Sequence, residues 1–394
     1  MNYTFSAPVA AMQPSAIREI FKYMSDPEVI SFAAGNPAPA AFPVETVREI
    51  TADILETDPI GALQYGLTEG VISLRDHLKT RMTAQGCFKE QDELIITSGA
   101  QQVMELAAKT LCNPGDTIIC EAPSFIGSLN SFRSMGLKLR GVELEEDGIS
   151  LSGLEQALKE EKRCRLIYLI PNFQNPTGIT MSAEKRTGVM NLAKQYGVMI
   201  IEDNPYGELR FAGDDIPSVK SLDRDGQVIY AGSFSKVLSP GLRVGYAIAP
   251  KEVIQKMVVC KQGSDVHTPC LSQMIADRFM FTRDFDSHIA HIRQLYKEKA
   301  DQMISLAKRE FGAKVSFTKP QGGLFIWCTL PDGADMPGFV RDAVLQKVAV
   351  VPGNAFAVDQ NAPNFSFRLN FSMPSAAQID QGMGILGKLI RGRF

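Results

Sequence analysis

Residues 165–204 read RLIYLIPNFQNPTGITMSAEKRTGVMNLAKQYGVMIIEDN and contain two apolar runs separated by a helical pattern. The first run, residues 165–170, is almost continuously apolar, and the second begins at Val198. Between them, Ser182 is a suitable N-cap for a helix that ends near Tyr196. Continuous apolar runs that alternate with helices are typical of parallel strands buried on both faces of a sheet. This stretch therefore predicts a strand–helix–strand unit of α/β architecture.

The same alternation extends on both sides of this unit. Residues 101–111 carry apolar side chains at helical spacing. Further apolar runs predict strands at residues 93–98, 116–120, 228–231 and 244–248. The middle of the chain therefore predicts one large α/β sheet.

The last third of the chain has a different pattern. A long helix is predicted over residues 285–310, where apolar side chains recur at the spacing of one buried stripe. Among few helices, shorter strands are predicted at residues 314–318, 324–329, 349–351 and 365–371. We expect a smaller α+β domain here. The N-terminal segment should pack with it, because its predicted helix at residues 17–24 is too short to be stable alone.

Composition excludes several classes of protein. The 394 residues include 41 basic and 44 acidic side chains, a net charge of −3, which provides no basic surface for nucleic acid or anionic lipid. No apolar run approaches the ~20 residues that span a bilayer, and residues 1–14 lack the features of a signal peptide. The seven cysteines are odd in number and lack Cys-x-x-Cys spacing, which disfavours a disulfide framework or zinc site. We expect a cytoplasmic enzyme with no metal and no nucleic-acid or membrane partner.

Residues 233–245, SFSKVLSPGLRVG, place a lysine directly after a predicted strand. Lys236 can form a Schiff base with a carbonyl if burial or neighbouring cations lower its pKa. Ser233, Ser235 and Arg243 offer two hydroxyls and a guanidinium, a set that suits a dianionic phosphate ester. The alternative is a surface lysine in a serine-rich turn.

Three further polar sites follow predicted strands. Asp203 ends an apolar run at a position where open α/β sheets bind ligands, and a pyridinium nitrogen would be a suitable partner for it. The alternative is a helix N-cap. The turn PNFQNPTG at residues 171–178 contains Asn175, whose amide can bind a phenolic oxygen unless the turn is only structural. In TSGAQQ, residues 97–102, a helix start exposes backbone N–H groups that favour an anion.

In this order the motifs resemble the class I and II aminotransferases, which are pyridoxal-phosphate (PLP) enzymes of fold type I. The resemblance also includes DNPY at residues 203–206 and FRLNF at residues 367–371, and it covers nearly the whole chain. Three N-terminal stretches, at residues 14–20, 31–37 and 62–66, are most similar to the 2-aminoadipate and kynurenine aminotransferase branch. That branch shares its fold with bacterial transcription regulators, whose N-terminal DNA-binding module we do not expect here.

The resemblance implies an architecture, a cofactor and an assembly. The fold would be α/β, with a large PLP-binding domain over residues 45–285 that contains a mostly parallel seven-stranded sheet. A smaller α+β domain would combine residues 1–44 with residues 286–394. PLP would be the cofactor, and a homodimer would share its active sites between subunits.

The resemblance also assigns roles to residues. Lys236 would hold PLP and move the substrate proton, Asp203 would keep the pyridine nitrogen protonated, and Tyr206 with Asn175 would bind the phenolic oxygen. Phe125 would stack on the pyridine ring, with core packing as an equal alternative. The phosphate would be bound by Ser98, Gly99, Ala100, Gln101, Ser233, Ser235, Arg243 and, from the neighbouring subunit, Tyr65.

On the substrate side, Arg368 would grip the α-carboxylate through two parallel hydrogen bonds. The implied substrate site also includes Asn175, Gly35, Tyr65 and Arg18. Arg18 would either pair with an acidic substrate side chain or be a solvated charge. We expect glutamate and 2-oxoglutarate as one substrate pair, and 2-aminoadipate, an aromatic or a branched-chain amino acid as the other. A PLP-dependent lyase that acts by C–S cleavage or β-elimination is the alternative, and a non-catalytic PLP-binding sensor is a third hypothesis.

Overall fold

The structure is a computed structural model that describes residues 3–10, 12, 26, 28–359 and 362–394. The predicted helix at residues 17–24 and the predicted site residue Arg18 lie outside the described residues.

The elements of the described residues follow in chain order. The strands are β1 Ile30–Ser31, β2 Asp92–Thr97, β3 Thr117–Ala122, β4 Lys138–Glu145, β5 Gly148–Ile149, β6 Cys164–Leu169, β7 Met199–Asn204, β8 Val228–Ser233, β9 Gly245–Pro250, β10 Ser316–Phe317, β11 Phe325–Thr329, β12 Val348–Ala349, β13 Val351–Pro352 and β14 Ser366–Asn370. The α-helices are α1 Ala7–Ala10, α2 Val44–Thr57, α3 Pro59–Leu63, α4 Ile72–Ala84, α5 Ala100–Leu111, α6 Ile126–Ser134, α7 Leu151–Glu160, α8 Ala183–Tyr196, α9 Val219–Leu222, α10 Lys251–Gln262, α11 Cys270–Thr282, α12 Phe285–Phe311, α13 Met336–Leu345 and α14 Ala376–Arg393.

The central sheet has the strand order β2-β9-β8-β7-β6-β3-β4-β5. Strands β4, β3, β6, β7 and β8 pair in parallel, whereas β9 runs antiparallel to both of its neighbours. The predicted mostly parallel sheet of seven strands is confirmed, and the two-residue strand β5 adds an eighth at one edge.

The unit from β6 to β7 shows why the pattern predicted this fold. The Ser182 hydroxyl accepts a hydrogen bond from the backbone N–H of Lys185 and caps α8, as predicted. Gly197 ends that helix in the left-handed conformation, with φ of 65°, which glycine adopts at little steric cost. Along β6, alternate side chains pack into two different core clusters, Tyr168 into one and Leu169 into the other. Both faces of the sheet are therefore buried, which explains the continuous apolar run.

The C-terminal part has its own sheet, in the order β10-β11-β14-β13 with antiparallel pairing. Helix α12 precedes it and agrees with the predicted bounds to within one residue. Strand β1 pairs in parallel with β12, so the N-terminal segment contacts the C-terminal part. The division into domains at residues 45 and 285 stays a prediction.

Membrane insertion is not supported by any helix that the structure describes, because none is both long and apolar enough to cross a bilayer.

The carboxyl ends of β6, β7 and β8 lie side by side, and strand β14 of the second sheet reaches the same region. The polar motifs follow these strand ends. Asn175 comes after β6, Asp203 lies in β7, Lys236 follows β8, and Arg368 lies in β14. The fold thus brings segments that are far apart in sequence to one edge of the large sheet.

Candidate active site

A cavity of about 430 Å³ opens at this edge of the sheet. Most of the predicted site residues line it, together with several that were not predicted. The predicted ones are Gly35, Ala100, Gln101, Phe125, Asn175, Asp203, Tyr206, Ser233, Ser235, Lys236, Arg243 and Arg368.

Lys236 is the only lysine among the described residues that line the cavity. Its Nζ donates a hydrogen bond to the backbone oxygen of Gly35 at 2.8 Å. Desolvation lowers the pKa of Lys236 to about 8, and the nearby charges of Arg368 and Arg243 act in the same direction. A larger fraction of this amine is therefore uncharged at neutral pH than in a solvent-exposed lysine, which favours a nucleophilic role.

Asp203 presents its two carboxylate oxygens differently. Its Oδ2 accepts a hydrogen bond from the Tyr168 hydroxyl at 2.8 Å, whereas its Oδ1 is buried without a partner. Burial raises the pKa of Asp203 to about 7, although the hydrogen bond from Tyr168 opposes that rise. A buried carboxylate oxygen without a partner is costly, so the site is suited to a ligand that brings a proton donor to Oδ1.

Asn175 connects the two sides of the cavity. Its Nδ2 donates to the Tyr206 hydroxyl at 3.3 Å, and its Oδ1 accepts from Arg368 Nη1 at 2.8 Å. Burial raises the pKa of Tyr206, so its hydroxyl keeps its proton at physiological pH. Asn175 and Tyr206 therefore lie within hydrogen-bonding distance of each other, and their binding of a phenolic oxygen stays a prediction.

Arg368 is buried and is held by two aromatic rings and two hydrogen-bond acceptors. Its guanidinium carbon lies 4.2 Å from the ring centroid of Phe325 and 4.8 Å from that of Phe356, within range for cation–π attraction. Its Nη2 donates to the Ala33 oxygen at 2.6 Å, while its Nε is buried without a partner. Burial lowers the pKa of Arg368 to about 10, which leaves it a cation at neutral pH. The orientation of the guanidinium is therefore set before any substrate carboxylate arrives.

The predicted phosphate-binding residues gather around the start of α5. Gly99 precedes this helix with φ of 83°, and a Cβ at this position would lie 2.5 Å from Arg243 Nη2. The Arg243 guanidinium donates to the backbone oxygens of Ser98 and Pro240. Glycine is favoured here, because a φ of 83° combined with a ψ of 165° is a backbone conformation that residues with a side chain rarely adopt. The positive end of the helix and Arg243 together form a suitable anion site.

The hydroxyl of Ser98 does not face the cavity. It donates to Asp265 Oδ2 at 2.5 Å, and Asp265 also accepts from Gln102 and forms an ion pair with Lys261. Ser98 and Gly99 are absent from the lining, so Ser98 braces the loop rather than reaching into the site. The sequence analysis missed Asp265; its only signal is the i,i+4 spacing from Lys261.

Two predicted aromatic residues differ in their position: Tyr65 lies outside the cavity lining, and Phe125 belongs to it. Tyr65 does not line the cavity; its side chain is 81% exposed and its ring contacts His267 edge-on, with centroids 5.7 Å apart. Phe125 lines the cavity and also packs against the core. Its stacking on the pyridine ring stays a prediction.

The sequence analysis also missed contributors that no local pattern marks. Phe325 supports Arg368, and Asn36, Ser128 and Tyr168 lie on or beneath the cavity wall. Tyr168 was interpreted only as a strand residue. The one available signal is its alternation with Ile167 and Leu169, which places it on the face of the sheet that carries Asp203.

Comparison with known proteins decides the family. The model of the family "Aminotransferase class I and II" matches residues 27–386. The chain is 38% identical over 392 residues to an aromatic-amino-acid aminotransferase of Thermococcus litoralis, covering 98% of this chain and 94% of that protein. The chain belongs to the class I and II aminotransferases. It is also 38% identical over 391 residues to a 2-aminoadipate transaminase of Thermus thermophilus, covering 98% of this chain and 96% of that protein.

Solved structures of aminotransferases agree closely with this fold. A kynurenine aminotransferase of Pyrococcus horikoshii, solved with PMP, superposes with a TM-score of 0.95 at 36% identity, covering 98% of this chain and 97% of that one. The α-aminoadipate aminotransferase LysN of Thermus thermophilus, complexed with a phosphopyridoxyl-leucine, gives 0.90 at 37% identity, covering 98% and 97%. The predicted family, branch, fold type and PLP cofactor are confirmed, and the protein is an aminotransferase.

Proposed function

We propose that this aminotransferase uses glutamate and 2-oxoglutarate as one substrate pair, with Lys236, Asp203 and Arg368 as its central residues. One observation carries the assignment of these residues: a lysine amine, an unpartnered carboxylate oxygen and an oriented guanidinium meet in one cavity. The second amino acid is 2-aminoadipate, an aromatic or a branched-chain one. The printed names of the relatives support the first two of these classes.

The residues present fit PLP. Lys236 offers the amine that its aldehyde needs, and Asp203 Oδ1 offers a buried acceptor for its ring nitrogen. Asn175 and Tyr206, which are hydrogen-bonded to each other, would bind its phenolic oxygen. Its phosphate would be bound by Arg243, Ser233 and Ser235, which line the same cavity, and by the start of α5. When bound, PLP supplies an electron sink for the charge that develops at the substrate Cα.

The chain's own groups then divide the work. The Lys236 amine would remove the proton from the substrate Cα as general base and then serve as the proton donor, as general acid. The Asp203 carboxylate holds the proton on the ring nitrogen. Arg368 binds the α-carboxylate and so orients the Cα–H bond, and orientation contributes much of the rate. Its two flanking rings and its bonds to Asn175 and Ala33 keep that orientation constant.

Visible absorption of the purified PLP-loaded protein tests this proposal. We expect the yellow band to collapse when glutamate is added and to return with 2-oxoglutarate. A panel of 2-oxo acids with glutamate as donor then identifies the second substrate. Pyruvate and ammonia released from a β-substituted amino acid would replace this proposal with the lyase hypothesis. A band that ignores every amino acid would replace it with the hypothesis of a non-catalytic PLP-binding sensor.

Replacing Arg368 by lysine should lower kcat/KM by about 10- to 100-fold, mostly through a higher KM. Lysine keeps the charge but loses the planar fork, and hydrogen bonds to charged groups contribute ~1.5–3 kcal/mol. Steady-state kinetics with glutamate measures the effect. Arg133→Lys is the matched control, because Arg133 also donates to backbone oxygens but does not line the cavity. An unchanged KM in Arg368→Lys would contradict the assignment.

Replacing Asp265 by asparagine should weaken PLP binding about 5- to 10-fold, because the loop of Ser98 loses a charged acceptor while Lys261 loses its ion pair. Equilibrium dialysis of the apoenzyme with PLP measures the dissociation constant. Asp301→Asn is the control, since Asp301 forms an exposed i,i+4 pair with Lys297. Equal PLP affinity in Asp265→Asn and the wild type would refute a bracing role for Asp265.

We further propose a homodimer in which Tyr65 reaches the phosphate of the partner's site. The support is the 81% exposure of Tyr65 and the exposure of four large apolar side chains close to it in the sequence, Ile60, Leu63, Leu67 and Ile72. Several large apolar side chains exposed along one segment are typical of a protein–protein interface.

Mixing two inactive variants tests the shared site. Tyr65→Ala and Lys236→Ala subunits, refolded together in equal amounts, should regain about one quarter of the wild-type sites, because half of the two-fold dimers are hybrids with one intact site. Either variant refolded alone should stay at its own low activity. No recovery in a mixture that forms dimers would contradict the shared site.

The proposal includes a cytoplasmic location, which fractionation of the producing cells would test.

A further inference from the structure

We propose that Tyr168, held in place by Ser128, is a positioning residue that aims the Asp203 carboxylate at the ring nitrogen of the cofactor. This rests on the proposed role of Asp203. Neither hydroxyl belongs to the motifs that identify the family in this sequence.

The first step is the division of labour between the two oxygens of Asp203. Oδ2 accepts from the Tyr168 hydroxyl at 2.8 Å, and Oδ1 is left buried and without a partner. A carboxylate anchored at one oxygen cannot turn freely about its χ2 torsion. The remaining oxygen therefore keeps one direction in the cavity, as a preorganised partner for a charged donor should.

The second step is the register of the sheet. Tyr168 on β6 pairs with Ile201 on β7, and Asp203 lies two residues beyond Ile201, so all three side chains leave the same face of the sheet. Tyr168 is fully buried, and Phe132 packs against its ring edge-on with centroids 5.6 Å apart. Strand pairing and core packing thus fix the phenol, so its hydroxyl can act as a rigid anchor.

The third step is the support of Tyr168 itself. The Ser128 hydroxyl donates to the Tyr168 oxygen at 2.9 Å, and both side chains are fully buried. Since Asp203 must accept, Tyr168 donates to it, and Ser128 satisfies the acceptor side of the phenol. Ser128 lies on α6, three residues after Phe125 and on the cavity lining. Helix α6 therefore carries the end of this hydroxyl chain, and its N-cap residue Phe125 lines the same cavity.

The electrostatic consequence follows from the groups around Asp203. Burial raises the pKa of Tyr168 well above its usual range, so the phenol stays a donor, and its hydrogen bond lowers the pKa of Asp203. Glu121, a second buried carboxyl on β3, repels a charge at Asp203, and burial raises the pKa of Glu121 to about 7. Tyr206 keeps its proton, while Lys236 and Arg368 share the cavity wall. Tyr168 is thus the neighbour that favours the ionised form of Asp203.

The test follows the proton on the cofactor's ring nitrogen. Holoenzyme reconstituted with PLP labelled with ¹⁵N in the pyridine ring is examined by NMR, alongside steady-state kinetics. In Tyr168→Phe the ¹⁵N resonance should move toward that of unprotonated pyridine at pH 7. In the same variant kcat should fall about 10- to 100-fold, with KM changing less than threefold, as expected for the loss of a hydrogen bond to a charged group. Ser128→Ala should shift both quantities in the same direction by a smaller amount.

Tyr246→Phe is the matched control, because it removes another buried phenol hydroxyl, whose partner is the Met82 sulfur. Its ¹⁵N resonance and kcat should equal those of the wild type, whereas a merely structural role of Tyr168 would affect both variants alike, through stability. If Tyr168→Phe does not fold, the resonance of Ser128→Ala decides in its place.

Asp203→Asn separates this inference from the proposed function. If Asp203→Asn changes the ¹⁵N resonance and Tyr168→Phe does not, the positioning role is overturned and the role of Asp203 stands. If neither variant changes the resonance, the role of Asp203 is overturned as well.

Discussion

Replacing Lys236 by alanine should reduce turnover by at least about 10⁴-fold, the largest effect expected of any single substitution in this chain. This single substitution removes both the covalent attachment of PLP and the base that moves the Cα proton. No other lysine among the described residues lines the cavity, so no neighbouring amine can substitute. The Gly35 oxygen, which accepts from Lys236, would lose its partner as well.

Two measurements check this result. Gel filtration should remove PLP from Lys236→Ala while the wild type keeps its yellow band, and single-turnover assays with glutamate should show the loss of rate. Lys297→Ala is the control, because Lys297 is solvent-exposed and remote from the cavity lining. A small primary amine added to Lys236→Ala should restore part of the rate, since the truncated side chain leaves room for it. Turnover near the wild-type level would overturn the assignment of Lys236.

Replacing Asp203 by asparagine should lower kcat by about 10²- to 10³-fold, the loss typical of removing one preorganised charged partner of a transition state. The amide has nearly the same shape, but it carries no charge to hold a proton on the ring nitrogen. PLP affinity should therefore change less than tenfold, because Lys236 and the phosphate-binding residues remain.

Steady-state kinetics measures kcat, and titration of the apoenzyme with PLP measures the cofactor affinity. The matched control is Glu121→Gln, which neutralises a second fully buried carboxyl that does not line the cavity. Its amide can keep the hydrogen bond from the Ile170 backbone N–H, so its effect on kcat should be at least tenfold smaller. Full turnover in Asp203→Asn would contradict the role of Asp203 in holding the proton on the ring nitrogen.

Much of the fold was predictable from the sequence, because local patterns encode it. The apolar runs marked strands β2, β3, β6, β7, β8 and β9 of the large sheet, and Ser182 marked the start of α8 through a hydrogen bond between residues three apart. Helix α12 was predicted to within one residue for the same reason, since one buried stripe runs along its length. Strand β4 was not predicted, because most of its side chains are exposed or half-buried and it lacks an apolar run. Strand β5 was not predicted; with two residues it is too short to show a period.

The sequence predicted which residues belong to the candidate site when a motif directly follows a strand. It did not predict the direction in which their side chains point. Ser98 was expected to bind the cofactor, yet its hydroxyl points to Asp265, 167 residues further along the chain. Tyr65 was expected to reach the phosphate of the neighbouring subunit; within one chain it is exposed and outside the cavity lining, so its role stays a prediction. Orientation depends on partners that are distant in sequence, and no local spacing reports them.

By itself, the sequence determined the chemistry that is available: a lysine, an aspartate and an asparagine at strand ends, and the α/β scaffold that carries them. Only the tertiary structure decided how they meet. It brought Arg368 to Asn175 across 193 residues and Tyr168 to Asp203 across 35. It also enclosed the cavity that shifts their pKa values. The physical reason is that periodicity and capping act over a few residues, whereas burial and hydrogen bonding between strands depend on the whole packed chain.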